Sequence, residues 1–180
     1  MTPPIHLRPL RPDDADEMVV VLSDPALYTF TGGEPPAREG LSRQYAVQAR
    51  GHSDDRSETW LNHLVVLDDT GEAVGYVQAT VPVSGGPAEI AWVIGVPWQG
   101  RGHATAAARL LLDELARRGV PEVVADIHPD HAASAAVARR LGLRPTGHLV
   151  DGEQRWEGPV AVADGAAPAM RRGTPCPPTC

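Results

Sequence analysis

The chain has 180 residues, 42% hydrophobic and 22% charged, a balance that suits one globular domain and excludes a disordered chain. A formal net charge of -7 and a pI near 5.4 speak against a nucleic-acid partner. No apolar run approaches the ~20 residues needed to span a bilayer, so no membrane partner is expected. The opening Met1-Thr2-Pro3-Pro4-Ile5 carries no secretory pattern, and the cytoplasm is the expected location.

In chain order, Ile5 to Leu10 alternates as a strand, and Asp13 or Asp14 caps a helix running to about Ser23, where Asp24-Pro25 ends it. Tyr28 to Pro36 reads as a loop containing Thr31-Gly32-Gly33, followed by a helix from Ala37 to Ala49 with Leu41, Tyr45 and Gln48 on one side. After a polar loop from Gly51 to Glu58, Thr59 to Leu67 and Ala73 to Val81 read as two strands joined by the turn Asp68-Asp69-Thr70-Gly71. Glu89 to Val96 is the next strand. The longest helical pattern follows, Gly102 to Arg118, with Ala104, Ala107, Ala108, Leu111, Leu112 and Leu115 as its apolar stripe and Gly119 as its stop. Val123 to Ile127 is a buried strand, Ala132 to Leu141 a short helix ended by Gly142, and Leu143 to Val150 a further strand. The order predicts one mixed α/β domain over 1–158. Pro159 to Cys180, rich in Ala, Pro, Gly and Arg without period, reads as a loosely attached tail. The only cysteines, Cys176 and Cys180, fall in it and read as incidental.

The chemistry concentrates where the strand ending at Val96 passes through Pro97-Trp98-Gln99-Gly100-Arg101-Gly102-His103-Ala104-Thr105 into the long helix. The first amides of a helix have no internal partners and lie at the positive end of its dipole. Gly100 and Gly102 let that backbone come close to a ligand, Arg101 adds a charge, and small residues follow. Such a mouth suits a diphosphate. It is neither a Walker loop, which needs Lys-Ser or Lys-Thr where His103-Ala104 stands, nor a dinucleotide fingerprint, whose third glycine is Thr105 here.

Gln99-x-x-Gly102-x-Ala104 resembles the GNAT acetyltransferase signature, Gln or Arg-x-x-Gly-x-Gly or Ala, between the fourth strand and the third helix. Downstream, His131-Ala132-Ala133-Ser134 and Leu141-Gly142-Leu143 are similar to the Asn-x-x-Ser helix and Gly-Phe turn of the branch that acetylates N-terminal amines of ribosomal proteins. The order of elements matches from Ile5 to about Trp156. The resemblance implies a mixed central sheet splayed between strands 4 and 5 and flanked by helices. It implies acetyl-CoA as acyl donor, an amine acceptor (a small molecule or a peptide N-terminus) and no metal. A homodimer is compatible with it.

Carried onto these residues, the resemblance assigns the backbone of Val93, Ile94, Gly95 and Val96 to the pantetheine arm. It assigns the amides of Arg101, Gly102, His103, Ala104 and Thr105 to the pyrophosphate. Glu89 matches a position where relatives carry a basic glutamate, with Glu153 a second candidate; both also read as solvated carboxylates. The tyrosine that many relatives use to protonate the leaving thiolate is Ala138 here. Ser134 matches the branch's serine near the sulfur, and also reads as a residue satisfying helix-start amides. His131 replaces the branch's asparagine at a cofactor contact; with His128 three residues away it lacks a third metal ligand. Tyr28, Phe30, Trp60, Gln78 and Trp92 are acceptor-site candidates by location, and core packing competes for each. The Thr31-Gly32-Gly33 loop is placed to close over the acceptor. Other readings remain: transfer of a different acyl group, a non-catalytic acyl-CoA sensor, or a general nucleotide-phosphate binder.

Overall fold

The computed structural model describes residues 4–160. Seven strands, β1 (Ile5–Pro9), β2 (Glu58–Leu67), β3 (Ala73–Pro82), β4 (Ala88–Ile94), β5 (Glu122–Ile127), β6 (Arg144–Val150) and β7 (Glu153–Pro159), form one sheet in the order β1-β2-β3-β4-β5-β7-β6. The helices are α1 (Ala15–Val21), α2 (Arg38–Gln48), α3 (His103–Arg117) and α4 (Ala132–Arg140). Among these residues no helix is long and apolar enough to cross a membrane.

Both faces of the sheet are covered. One core joins the apolar side of α3 and part of α4 to Leu61, Val65, Val77, Ile90, Val123 and Trp156. The other joins α1 and α2 to Leu64, Val66 and Ala73. Double coverage explains why Leu64, Val65, Val66 and Leu67 are all buried in succession, where a half-exposed strand would alternate. On α3, Ala107, Ala108, Leu111, Leu112 and Leu115 recur at three- and four-residue spacing and are buried. Shortening Leu115, 0% exposed, to Ala would cost about 2–5 kcal/mol through lost burial and the cavity left. Gly119, at φ 76°, takes the left-handed conformation just past the helix end.

The helices observed fall within a residue or two of those expected, and Pro25–Tyr28 forms a 3-10 turn where a loop was expected from Tyr28. β7 was not anticipated. Its sequence, Glu153-Gln154-Arg155-Trp156-Glu157, has one large apolar residue, and its pairing with β5 rather than side-chain pattern makes it a strand. Val160 is buried in the α3-side core and its amide bonds to the Pro121 carbonyl, so the folded body extends past the expected boundary at 158. Residues 161–180, with Cys176 and Cys180, lie outside the described residues.

All strand pairs are antiparallel except β4 with β5. β4 keeps six partners on β3, from Thr80↔Glu89 to Gly75↔Ile94. It pairs with β5 only at Ala88↔Val123 and Glu89↔Val124. The two strands part beyond Glu89, leaving the β5-facing edge of β4 without a strand partner in the middle of the sheet.

Candidate active site

The opening between β4 and β5 leads into a channel of about 1080 Å³, bounded on one side by the start of α3 and on the other by the loop from β5 into α4. Backbone polar groups along an interior strand edge require partners, so the unpaired β4 edge is a row of donors and acceptors facing the channel. At its end, the Gln99 side-chain amide donates to the Ile94 carbonyl at 2.9 Å and ties the last strand residue to the turn that follows. Gly102 is the N-cap of α3 at φ 87°, a conformation that a side chain would strain, and it offers no side-chain cap. The Ala106 amide bonds to the Gly102 carbonyl, so the first amides of α3, ahead of it, are the orphan donors of the helix start.

Of the residues singled out from the sequence, Trp92, Val93, Ile94, Gly102, His103, Ala104, Thr105, His131 and Ser134 line this channel. Gly95, Val96 and Arg101 are not among its lining residues. A Cβ on Gly95 would lie 2.9 Å from Trp98 and from Val21, so this glycine is needed for packing. The Arg101 guanidinium donates to the Pro97 carbonyl at 3.1 Å and is turned onto its own loop. Two other guanidinium groups do reach the wall, Arg109 and Arg140. The signal for Arg109 was present in the sequence, a charge directly after the apolar Ala107-Ala108 pair. Arg140 had no such signal until α4 packed beside α3.

His103 is the first residue of α3, 2% exposed, and both its ring nitrogens lack a partner. Burial, and then the Arg101 charge, holds its pKa below the ordinary histidine value. The His131 ring, at the N-cap of α4, stacks on Phe30 with centroids 4.5 Å apart and planes at 20°, and His128 lies 5.3 Å from the same ring. Phe30 and Thr31 also line the channel, so the loop before α2 reaches across to the β5–α4 loop. The two histidines thus flank an aromatic ring. Ser134 is the third residue of α4, past the N-cap position where serine satisfies helix amides.

Glu153 and Asp126 line the channel and Glu89 does not. Asp126 is engaged by Arg155 through two bonds of 3.0 and 2.7 Å, a bidentate pair that fixes β7 to β5. Glu153 is held above the ordinary carboxylic-acid pKa by burial first, then by Asp126, with His128 opposing and Glu89 and Asp151 adding to the rise. Glu89 is exposed where β4 and β5 part.

A second, smaller cavity of about 200 Å³ lies on the α1–α2 side of the sheet, and Tyr28 and Gln78 line it. Tyr45 and Tyr76, which the sequence did not mark as functional, line it as well. Trp60 lines neither cavity; its indole N–H donates to the Glu58 carboxylate at 2.9 Å.

The family model described as acetyltransferase (GNAT) domain matches residues 5–144. The chain belongs to the GNAT acetyltransferase family. A curated relative, L-2,4-diaminobutyric acid acetyltransferase of Nocardia farcinica (strain IFM 10152), is 38% identical over 88 residues, 46% of this chain and 46% of that protein. The match therefore spans about half the length of that relative. Among solved structures, the RimL ribosomal L7/L12 alpha-N-protein acetyltransferase superposes with a TM-score of 0.72 at 18% identity, over 88% of this chain and 91% of that one. Mycobacterium smegmatis RimJ, in complex with CoA-disulfide, superposes with a TM-score of 0.70 at 23% identity, over 86% of this chain and 81% of that one. These two likenesses bear on the fold.

The channel fits the family's acyl donor, acetyl-CoA, on this chain's own features. It has an unpaired strand edge for an amide-bearing arm, orphan amides and a side-chain-free Gly102 for a diphosphate, and Arg109 and Arg140 for further negative charge. Among the described residues no group of three or more His, Cys, Asp or Glu is arranged to hold a metal.

Proposed function

We propose that this GNAT protein catalyses direct transfer of the acetyl group of acetyl-CoA to the primary amine of a small molecule, without a covalent enzyme intermediate. The observation that carries the proposal is the parting of β4 from β5 beyond Glu89, beside the uncapped start of α3. Acetyl-CoA supplies an already activated acyl carbon, so the chain's tasks are positioning, proton transfer and charge stabilisation.

In this reading Val93 and Ile94 hold the donor's arm through their main chain, and the amides of Gly102, His103, Ala104 and Thr105 hold its pyrophosphate. Glu153 takes the proton of the incoming ammonium, directly or through water. Its raised pKa brings it nearer to neutral pH than an exposed glutamate, and its position on the channel wall supports it over Glu89. Glu89 acts as a neighbouring charge that keeps Glu153 basic. Ser134 relays a proton to the departing sulfur: its hydroxyl donates to the thiolate and takes in turn the proton lost by the attacking nitrogen. The name of the curated relative supports a small acceptor resembling a diamino acid.

Release of free thiol from acetyl-CoA across a panel of amines and peptides tests the proposal. Turnover with a primary amine supports it, whereas binding without turnover establishes an acyl-CoA sensor instead. In Gly102→Glu, bulk and like charge at the helix mouth are expected to weaken acetyl-CoA binding more than about 100-fold. Unchanged affinity would show that the diphosphate lies elsewhere.

A further inference from the structure

The open edge of β4 and the uncapped start of α3 are joined by the connection from Gly95 to Gly102. Two of its joints are loose by nature. Gly100 and Gly102 sit at φ 73° and 87°, and a Cβ on Gly100 would meet nothing within 4 Å. The connection therefore keeps its shape through what fastens it to β4.

There are two fastenings. The Trp98 ring lies against Gly95, where a Cβ would come within 2.9 Å of it, and it packs on both cores. The Trp98 amide also bonds to the Gly95 carbonyl at 2.9 Å. This holds the connection as far as Trp98. Beyond it, the Gln99 side-chain amide reaches back to the Ile94 carbonyl at 2.9 Å. Among the described residues it is the one side-chain hydrogen bond from the connection to β4, since Arg101 bonds within the connection, to Pro97.

Strand alternation gives that bond its place. The Gly95 amide bonds to the Val74 carbonyl, so the polar groups of Gly95 turn to β3 and those of Ile94 turn the other way, into the channel. Gln99 itself lines the channel. The clasp thus closes on the channel side, between the last strand residue and the glycines of the helix mouth. A long donor gripped at one end reacts better at its other end only when the protein holds the two sites at a fixed separation.

We infer that Gln99 is a positioning residue that couples the diphosphate mouth to the strand edge. Its side-chain amide keeps the start of α3 in fixed relation to Ile94, so a diphosphate seated on the helix determines where the thioester falls along β4. Gln99 needs no contact with either group for this. The inference rests on the donor reading of the channel given above.

Two donors separate placement from binding: acetyl-CoA, and S-acetylpantetheine, which has the same arm and thioester without the nucleotide diphosphate. In Gln99→Leu, kcat with acetyl-CoA is expected to fall about tenfold or more, a loss that misplacement by about an ångström suffices to cause. The Kd for CoA, measured by calorimetry, should rise less than about threefold. With S-acetylpantetheine, which the helix mouth does not grip, the fall in kcat should be much smaller. Gln99→Arg keeps an N–H donor on a long side chain and should recover most of the acetyl-CoA rate; Gln99→Glu has no donor and should not. A Gln99 that only shapes the phosphate site would raise the Kd and leave kcat, and one that only supports the fold would lower Tm and slow both donors alike. Either result, or no change, overturns the inference. Proton NMR of bound S-methyl-CoA, an inert thioether, gives a readout without turnover. Its methyl resonance should be displaced from the free position in the wild type and return towards it in saturated Gln99→Leu. No displacement in the wild type, or an equal one in both, overturns the inference. Absence of turnover with every amine would sink the transferase reading and leave this NMR result to decide the role of Gln99.

Discussion

Replacing His103 with Leu should make this protein more stable. His103 is 2% exposed at the first position of α3, a step ahead of Ala107 and Leu111 on the same apolar side, and neither ring nitrogen has a partner. A neutral imidazole carries one donor and one acceptor, and each unsatisfied buried group costs about 1–3 kcal/mol. Leucine of similar size removes both and adds apolar burial, less some strain, for a net gain of about 2 kcal/mol. At this chain length that corresponds to a Tm rise of about 4–8 °C. The pH dependence gives an independent reading. The folded-state pKa of His103 is lowered, so between it and the unfolded value near 6.5 the unfolded chain binds more protons than the folded one. Its stability contribution is complete above the unfolded pKa and is lost as pH falls through the folded pKa. The Leu variant should therefore lose less stability than the wild type between pH 7.5 and pH 5. His63 and His131 are lowered too and remain, so part of the loss persists. Urea denaturation at the two pH values, with the acetyl-CoA KM alongside, measures all of this. A variant less stable than wild type, or one whose acetyl-CoA KM rises tenfold, would refute the reasoning by showing that the imidazole has a partner.

Glu153→Gln should lower kcat about 10²–10⁴-fold at neutral pH and remove the acid limb of the kcat/KM profile. In the wild type that limb should lie above the ordinary carboxylate value, because the folded-state pKa of Glu153 is raised and activity requires its ionised form. Glu89→Gln, measured in parallel, should lower kcat about threefold and move the limb downward, as one of the charges raising Glu153 disappears. The reverse order of effects would return the base to Glu89. Ser134→Ala should lower kcat more than about tenfold with the acetyl-CoA KM nearly unchanged. A loss confined to Tm would assign Ser134 to holding α4.

What could be read from the sequence and what could not divides along the range of the interactions. The start of α3 was legible because its parts are local: two glycines, a helix dipole and the following small residues act within a few positions of one another. The same holds for the apolar stripe of α3 and for the strands β2 and β3, whose side chains record their burial directly. β7 was missed because it has little burial to record; pairing with β5 defines it, and the single inward Trp156 is too little for a pattern.

The carboxylates show the limit most clearly. Glu89 and Glu153 are chemically the same residue type, and the family resemblance favoured Glu89, at the start of the strand that leads to the motif. Only the antiparallel return of β7 along β5 brings Glu153 into the channel with Asp126 and His128, and only there does burial raise its pKa. Tyr28, Tyr45 and Tyr76 likewise come from a turn, a helix and a strand, and share a cavity because α2 packs across β2 and β3. By itself the sequence determined the α/β order of elements as far as β6 and the glycine-lined start of α3, since these follow from periodicity and backbone preference. The parting of β4 and β5, and the residues that meet within it, were decided by the tertiary structure, because strand register and desolvation depend on partners far away in the chain.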